Sequence, residues 1–173
     1  MHSLVLTIVS IGLLAAMLAA SVSYLPYWSK DAANTEALVS SGFVELERAF
    51  ELQASLNGDV PAPVVPSADD GGLTSNFISL LGFIPQPPSG YRWVYGQHIS
   101  DASRYSDMYY FCLMPTQAGP TPKGRELGIS RFKAQAGIDQ YVLSDHCGAS
   151  VDLGSPSNIS LHATYYVLYT PGM

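Results

Sequence analysis

Charge is scarce in this chain, and in its first 29 residues it is absent. The first Lys, Arg, Asp or Glu is Lys30, and only His2 precedes it among side chains that can carry charge near neutral pH. Over 173 residues there are 8 Lys and Arg against 14 Asp and Glu, a formal net charge of −6. The basic residues Lys123, Arg125, Arg131 and Lys133 are scattered, so the concentrated positive charge that phosphate contacts need is lacking and nucleic acid is excluded as a partner. Catalytic and ligand-binding signatures are missing as well. His2, His98, His146 and His162 show neither HxxxH nor HExxH spacing. The two cysteines, Cys112 and Cys147, form no CxxC, and no GxSxG, P-loop or dinucleotide fingerprint occurs. The expectation is a protein that is not an enzyme, with no metal and no cofactor.

What the chain does contain is a long apolar run. From Leu4 to Leu25 there is no charge, no proline and one glycine, Gly12. About 22 residues at roughly 1.5 Å each match the hydrocarbon thickness of a bilayer. Tyr24, Tyr27 and Trp28 cluster at its far end, as aromatic anchors do at a membrane–water interface, and Lys30 follows. The alternative is a secretory signal cut after Ser21-Val22-Ser23. The run lacks a basic n-region and exceeds a usual h-region, so retention as a membrane helix is the expectation. Gly12, Ala16, Ala19 and Ala20 share one face of that helix, which would let another helix approach closely.

Pro26 kinks a helix that continues beyond the bilayer. Val39, Phe43, Leu46 and Phe50 then fall on one face, with Glu45, Glu47, Arg48 and Glu51 on the others, and Asn57-Gly58 marks the stop. This stripe is predicted to pack on a sheet. An ordinary first helix of a globular domain would show the same pattern. Three segments follow: a transmembrane half-helix over 1–29, an amphipathic half-helix over 30–58, and an α+β globular domain over 59–173.

Within that domain, DVPAPVVPSADDGG (59–72) reads as a surface loop. Leu73 to Phe83 suits a short helix with Thr74 or Ser75 as cap. Alternating Tyr91, Trp93 and Tyr95 mark a strand whose rings belong in the core. Met108 to Met114 reads as a central strand covered on both faces. Thr116 to Gly124 is predicted as a loop, Arg125 to Ala136 as a short helix or a strand and turn, Tyr141 to Leu143 as a short strand, and Leu161 to Tyr169 as a final one. Cys112 and Cys147 read as one disulfide, worth roughly 4 kcal/mol by loop closure; two separate buried thiols are the alternative. Asp145-His146-Cys147 puts a His beside a Cys, but sequence neighbours on an extended chain point apart. Asp69-Asp70-Gly71 is an acidic turn, and Asn158-Ile159-Ser160 a chance match to a glycosylation sequon. His98 and His162 are read as half-buried, with no role.

The order of these parts resembles the type IV pilin superfamily, in its type IVb-like minor pilin, pseudopilin or accessory branches. The residues that carry the likeness are Leu4–Leu25, Pro26, the stripe Val39/Phe43/Leu46/Phe50, the strands around Tyr91–Tyr95 and Met108–Met114, and Cys112 with Cys147. FISLLGFIPQPPSGYRWVYG has the same texture. The resemblance implies an α+β fold with a long N-terminal helix packed on an antiparallel sheet. It also implies residence in a bacterial inner membrane with a periplasmic domain, and an extracellular filament on assembly. The function implied is that of a structural subunit or assembly factor of a type IV pilus-like filament, with membrane lipid and self or other pilin-like subunits as partners and cell adhesion as a consequence. With no acidic residue before Asp31, a minor or accessory role fits better than that of a major subunit. A secreted or membrane-tethered binding module, unrelated to pili, is the alternative.

Overall fold

The computed structural model describes residues 10–14, 17, 27–58, 60, 73, 75–98, 104, 108–136, 139–154 and 159–167. The fold is α+β. Helix α1 (Tyr27–Asn57) is followed by the short helix α2 (Ser75–Leu81), strands β1 (Tyr91–Gln97) and β2 (Tyr109–Pro115), helix α3 (Lys123–Ala136), and strands β3 (Tyr141–Ser144) and β4 (His162–Val167). The four strands form one antiparallel sheet in the order β1-β2-β4-β3.

Thirty-one residues of α1 run without proline, and its buried positions are Ala32, Thr35, Val39, Gly42, Phe43, Leu46, Ala49 and Phe50. Their spacing of three and four keeps them on one side of a 3.6-residue helix. The helix ends where Gly58 takes φ 67° and its N–H donates to the Ala54 carbonyl at 2.9 Å, a left-handed C-terminal cap. Residues 10–14 and 17 are also helical. Most of the predicted bilayer span, including Ala16, Ala19 and Ala20, lies outside the described residues, as do Pro26, Thr74, Asp69 to Gly71, Asn158 and nearly all of 59–72. Among the described residues no helix is long and apolar enough to cross a membrane.

The sheet's inner face receives α1. Phe43 meets Trp93 at 5.0 Å, Tyr141 at 5.1 Å and Tyr165 at 5.8 Å between ring centroids, all edge to face. Two turns on, Phe50 reaches Tyr109, Tyr95 and Phe111 at 5.9–6.3 Å. Phe77 of α2 closes the same core against Tyr95 and Phe111. Offset and edge-to-face aromatic pairs of this kind each add about 0.5–1.5 kcal/mol beyond area burial. Tyr91, Trp93 and Tyr95 are thus core residues.

Three glycine contacts set how closely α1 approaches the sheet and α3. A Cβ on Gly42 would overlap the Trp93 ring, with Cη2 at 2.8 Å. A Cβ on Gly128 of α3 would lie 2.5 Å from the Ala32 carbonyl oxygen, so α3 rests almost backbone to backbone on α1. Gly124, one turn earlier, faces Asp31 and the Trp28 carbonyl in the same way. The predicted loop over Thr116–Gly124 therefore ends two residues early: Lys123 and Gly124 already belong to α3, because Gly124 is needed at the helix–helix contact. The strand-and-turn alternative for Arg125–Ala136 is replaced by helix, since Gly124, Gly128 and Ile129 share a buried face.

The outer face is covered by the segment after β3. Cys112 and Cys147 are joined (S–S 2.05 Å, Cα–Cα 5.7 Å), which ties that segment to the central strand β2. Val142, Ala149 and Tyr166 form a second, smaller core with Met108 and Tyr110. Beside the disulfide, the buried Thr164 hydroxyl accepts from Gly148 N–H at 3.2 Å. Its own proton is directed at Cys112 Sγ, 3.6 Å away. His98 Nδ1 lies 2.6 Å from the Gly148 carbonyl, and Tyr166 Oη donates to the Ala149 carbonyl at 3.0 Å. Asp152 then covers the open edge of β3: its Oδ1 accepts from Leu143 N–H at 3.0 Å, its Oδ2 pairs with Lys133, and Leu153 N–H donates to the Leu143 carbonyl at 2.8 Å. Covering an edge strand in this way removes a template for non-native pairing.

Candidate interaction surface

The sequence places its distinctive chemistry on helix faces, and the structure separates those faces into buried and exposed sides. Val39, Phe43, Leu46 and Phe50 are all at most 1% exposed. The sequence pattern missed four further residues of the same face, Ala32, Thr35, Gly42 and Ala49. Small and polar side chains carry no hydrophobic signal, and the burial of Ala32, Thr35 and Gly42 follows from the close approach of α3 and Trp93. Glu47 is a correction. It was placed with the charges on the faces away from the packed stripe, but it accepts a hydrogen bond from the Tyr165 hydroxyl. It sits three residues before Phe50 and four after Phe43, at the border of the packed stripe. Arg48 and Glu51 are exposed.

The opposite side of α1 carries Ala33, Ala37, Ser41, Val44 and Arg48, all exposed; Val44 shows 61% of its surface. Two grooves flank this side. One, about 520 Å³, runs between α1 and α3 along Ala33, Ala37, Ser40, Phe132 and Ala136. The other, about 290 Å³, lies between α1 and α2 along Arg48, Leu52, Leu80, Leu81 and Phe83, with Glu45 at its rim. Leu56, Phe83 and Ile84 remain exposed near this end. Further toward the N-terminus Ile11, Leu13, Leu14 and Met17 expose more than half of their surfaces, and a Cβ on Gly12 would meet nothing within 4 Å. An accumulation of exposed aliphatic side chains on helix exteriors is what a protein or lipid partner covers.

The largest shifts among the titratable groups fall on tyrosines. Desolvation by burial raises the hydroxyls of Tyr91, Tyr95, Tyr110, Tyr141 and Tyr165 above their ordinary range, with Glu47 adding to the effect at Tyr165 and Tyr141. His162 is lowered, first by burial. The Asp145 carboxyl is lowered by its hydrogen bond with His146 Nδ1 at 2.6 Å, and both side chains are exposed. Cys147, next to this pair, is bonded to Cys112 and has no thiolate to offer as a nucleophile. Among the described residues no group of three His, Cys, Asp or Glu is placed to hold a metal ion. His98, to which the sequence assigned no role, is a strut beneath the disulfide segment; no local signal marks it, because its partner Gly148 is 50 residues away. Comparison with protein families, with characterised proteins and with solved structures finds no significant match to this chain, so its geometry is what bears on function.

Proposed function

We propose that the chain is a membrane-anchored, self-assembling subunit or assembly factor of a type IV pilus-like filament, held in a bacterial inner membrane with its α+β body on the periplasmic side. The observation that carries this reading is the division of labour along its helices. One side of α1 is locked onto an antiparallel sheet, whose outer face is closed by the Cys112–Cys147 loop. The other side, and the apolar helical residues before it, remain available to neighbours. A tether to an isolated domain needs no apolar or small-residue exterior along its aqueous half. A filament subunit does, because its helices must lie against those of adjacent copies at close range.

The reading is tested on the native chain by intact mass and electron microscopy. A mature protein that keeps the residues before Tyr24 is expected. Filaments or membrane oligomers should be lost when Glu45 and Glu51 are both changed to Lys. Glu47 is left alone because its partner is Tyr165 and its loss would disturb the fold. Trimming near Ser23, or assembly indifferent to the double change, would overturn the proposal and leave a secreted or tethered binding module.

A further inference from the structure

Where β1 begins and α3 starts, a cavity of about 160 Å³ is enclosed by Tyr91, Pro115, Gln117, Thr121, Pro122 and Arg125 among others. It shares no lining residue with the two grooves along α1, so what it holds is independent of whether the chain assembles. Arg125 is half-buried and its Nε is fully enclosed, yet among the described residues nothing accepts a hydrogen bond from its guanidinium. A guanidinium stays charged and carries five donors in a planar fork, so enclosing part of it without an acceptor is costly unless an anion arrives. Gly90, at φ 79°, makes room for it: a Cβ there would lie 2.8 Å from Arg125 Nη1. The hydroxyls of Tyr91 and Thr121 lie 3.1 Å apart, and Thr121 Oγ1 already accepts from Leu161 N–H at 2.8 Å. Of the two hydroxyl protons one is used between them, and the other is left to donate. Pro115, Pro120 and Pro122 supply apolar wall. Space for about five waters exceeds a bare inorganic ion, which would leave that wall uncovered.

We propose that this cavity binds a carboxylate carried on a small organic body, with the Arg125 fork gripping the carboxylate and the Tyr91–Thr121 hydroxyl pair holding a polar group of the body. Planar bidentate pairing is what distinguishes a carboxylate at such a fork.

The full-length, isotope-labelled chain in detergent micelles is titrated separately with glucuronate, propionate and phosphate, reading amide shifts at Gln117, Gly119 and Thr121. Saturable shifts with a carboxylate are expected. Arg125→Gln, with an otherwise native spectrum, should weaken binding by about tenfold or more. Arg125→Lys, which keeps the charge and loses the fork, should weaken it by less, and it carries the test should the Gln variant not fold. Tighter binding of glucuronate than of propionate is expected, since only glucuronate carries hydroxyls for the Tyr91–Thr121 pair; equal binding would overturn the role given to that pair. No saturable shift with either acid, binding of phosphate alone, or unchanged affinity in both Arg125 variants would overturn the proposal.

Discussion

Replacing Gly42 by Ala sets two effects of opposite sign against each other in the middle of α1. Gly in a helix interior is less favourable than Ala by about 0.8–1.0 kcal/mol, so on propensity alone the change stabilises. The added methyl, however, would overlap the six-membered part of the Trp93 indole, with Cη2 at 2.8 Å. The ring has no room to retreat. It is 3% exposed, its Nε1–H donates to the Pro85 carbonyl at 2.8 Å, and Phe43 stands edge-on at 5.0 Å. Overpacking a filled core costs about 1–3 kcal/mol, occasionally more. The difference of the two ranges is a loss of about 0–2 kcal/mol, and the expected result lies toward its upper end because the ring cannot move aside. Urea denaturation followed by helix circular dichroism measures it. Trp93→Phe shortens the facing ring and loses the bond to Pro85, so it is destabilising alone; combined with Gly42→Ala the two losses should sum to less than their separate values, because the clash is relieved. A Gly42→Ala protein as stable as the parent, or strictly additive effects in the double variant, would refute the packing argument.

Replacing Cys112 and Cys147 together by Ser should lower stability by roughly 2–4 kcal/mol in denaturant titrations, since the bond closes a loop with a sequence separation of 35. Asp152→Ala should cost about 1–2 kcal/mol and raise amide exchange at Leu143 and Gly154, from whose N–H groups Asp152 Oδ1 accepts; Lys133→Met should cost less, because it leaves those two bonds in place. The raised tyrosines predict alkaline lability. Their neutral forms are favoured in the fold, so the contribution is fully present below the ordinary tyrosine range near pH 10 and is lost as pH rises above it. Ultraviolet titration should show these phenols ionising only as the protein unfolds; ionisation near pH 10 in the folded state would contradict their burial. His162 has the opposite sense. Its lowered value means stability is present above the ordinary histidine range near pH 6.5 and is lost as pH falls through it, an effect His162→Gln should remove.

Periodicity made much of this fold legible from the chain alone. The stripe Val39/Phe43/Leu46/Phe50 and the alternation Tyr91/Trp93/Tyr95 each report a side that water avoids, and a helix or strand can satisfy that demand only in one orientation. The run around Phe111 and Cys112 likewise signalled a strand covered on both faces, which β2 is. What sequence could not supply was which surfaces meet. Gly124 read as the end of a loop and Gly128 carried no signal of its own until α1 is laid against them, and then they become the contact. Glu47 read as one of the charges off the packed face until β4 brought Tyr165 from 118 residues away. Arg125 read as one of several scattered basic residues until the β1 turn and the proline loop enclosed it. Local patterns record each residue's preference for water or protein. Pairing between distant segments depends on shape and on polar partners that no short window contains, so the exposed grooves and the cavity belonged to the tertiary structure.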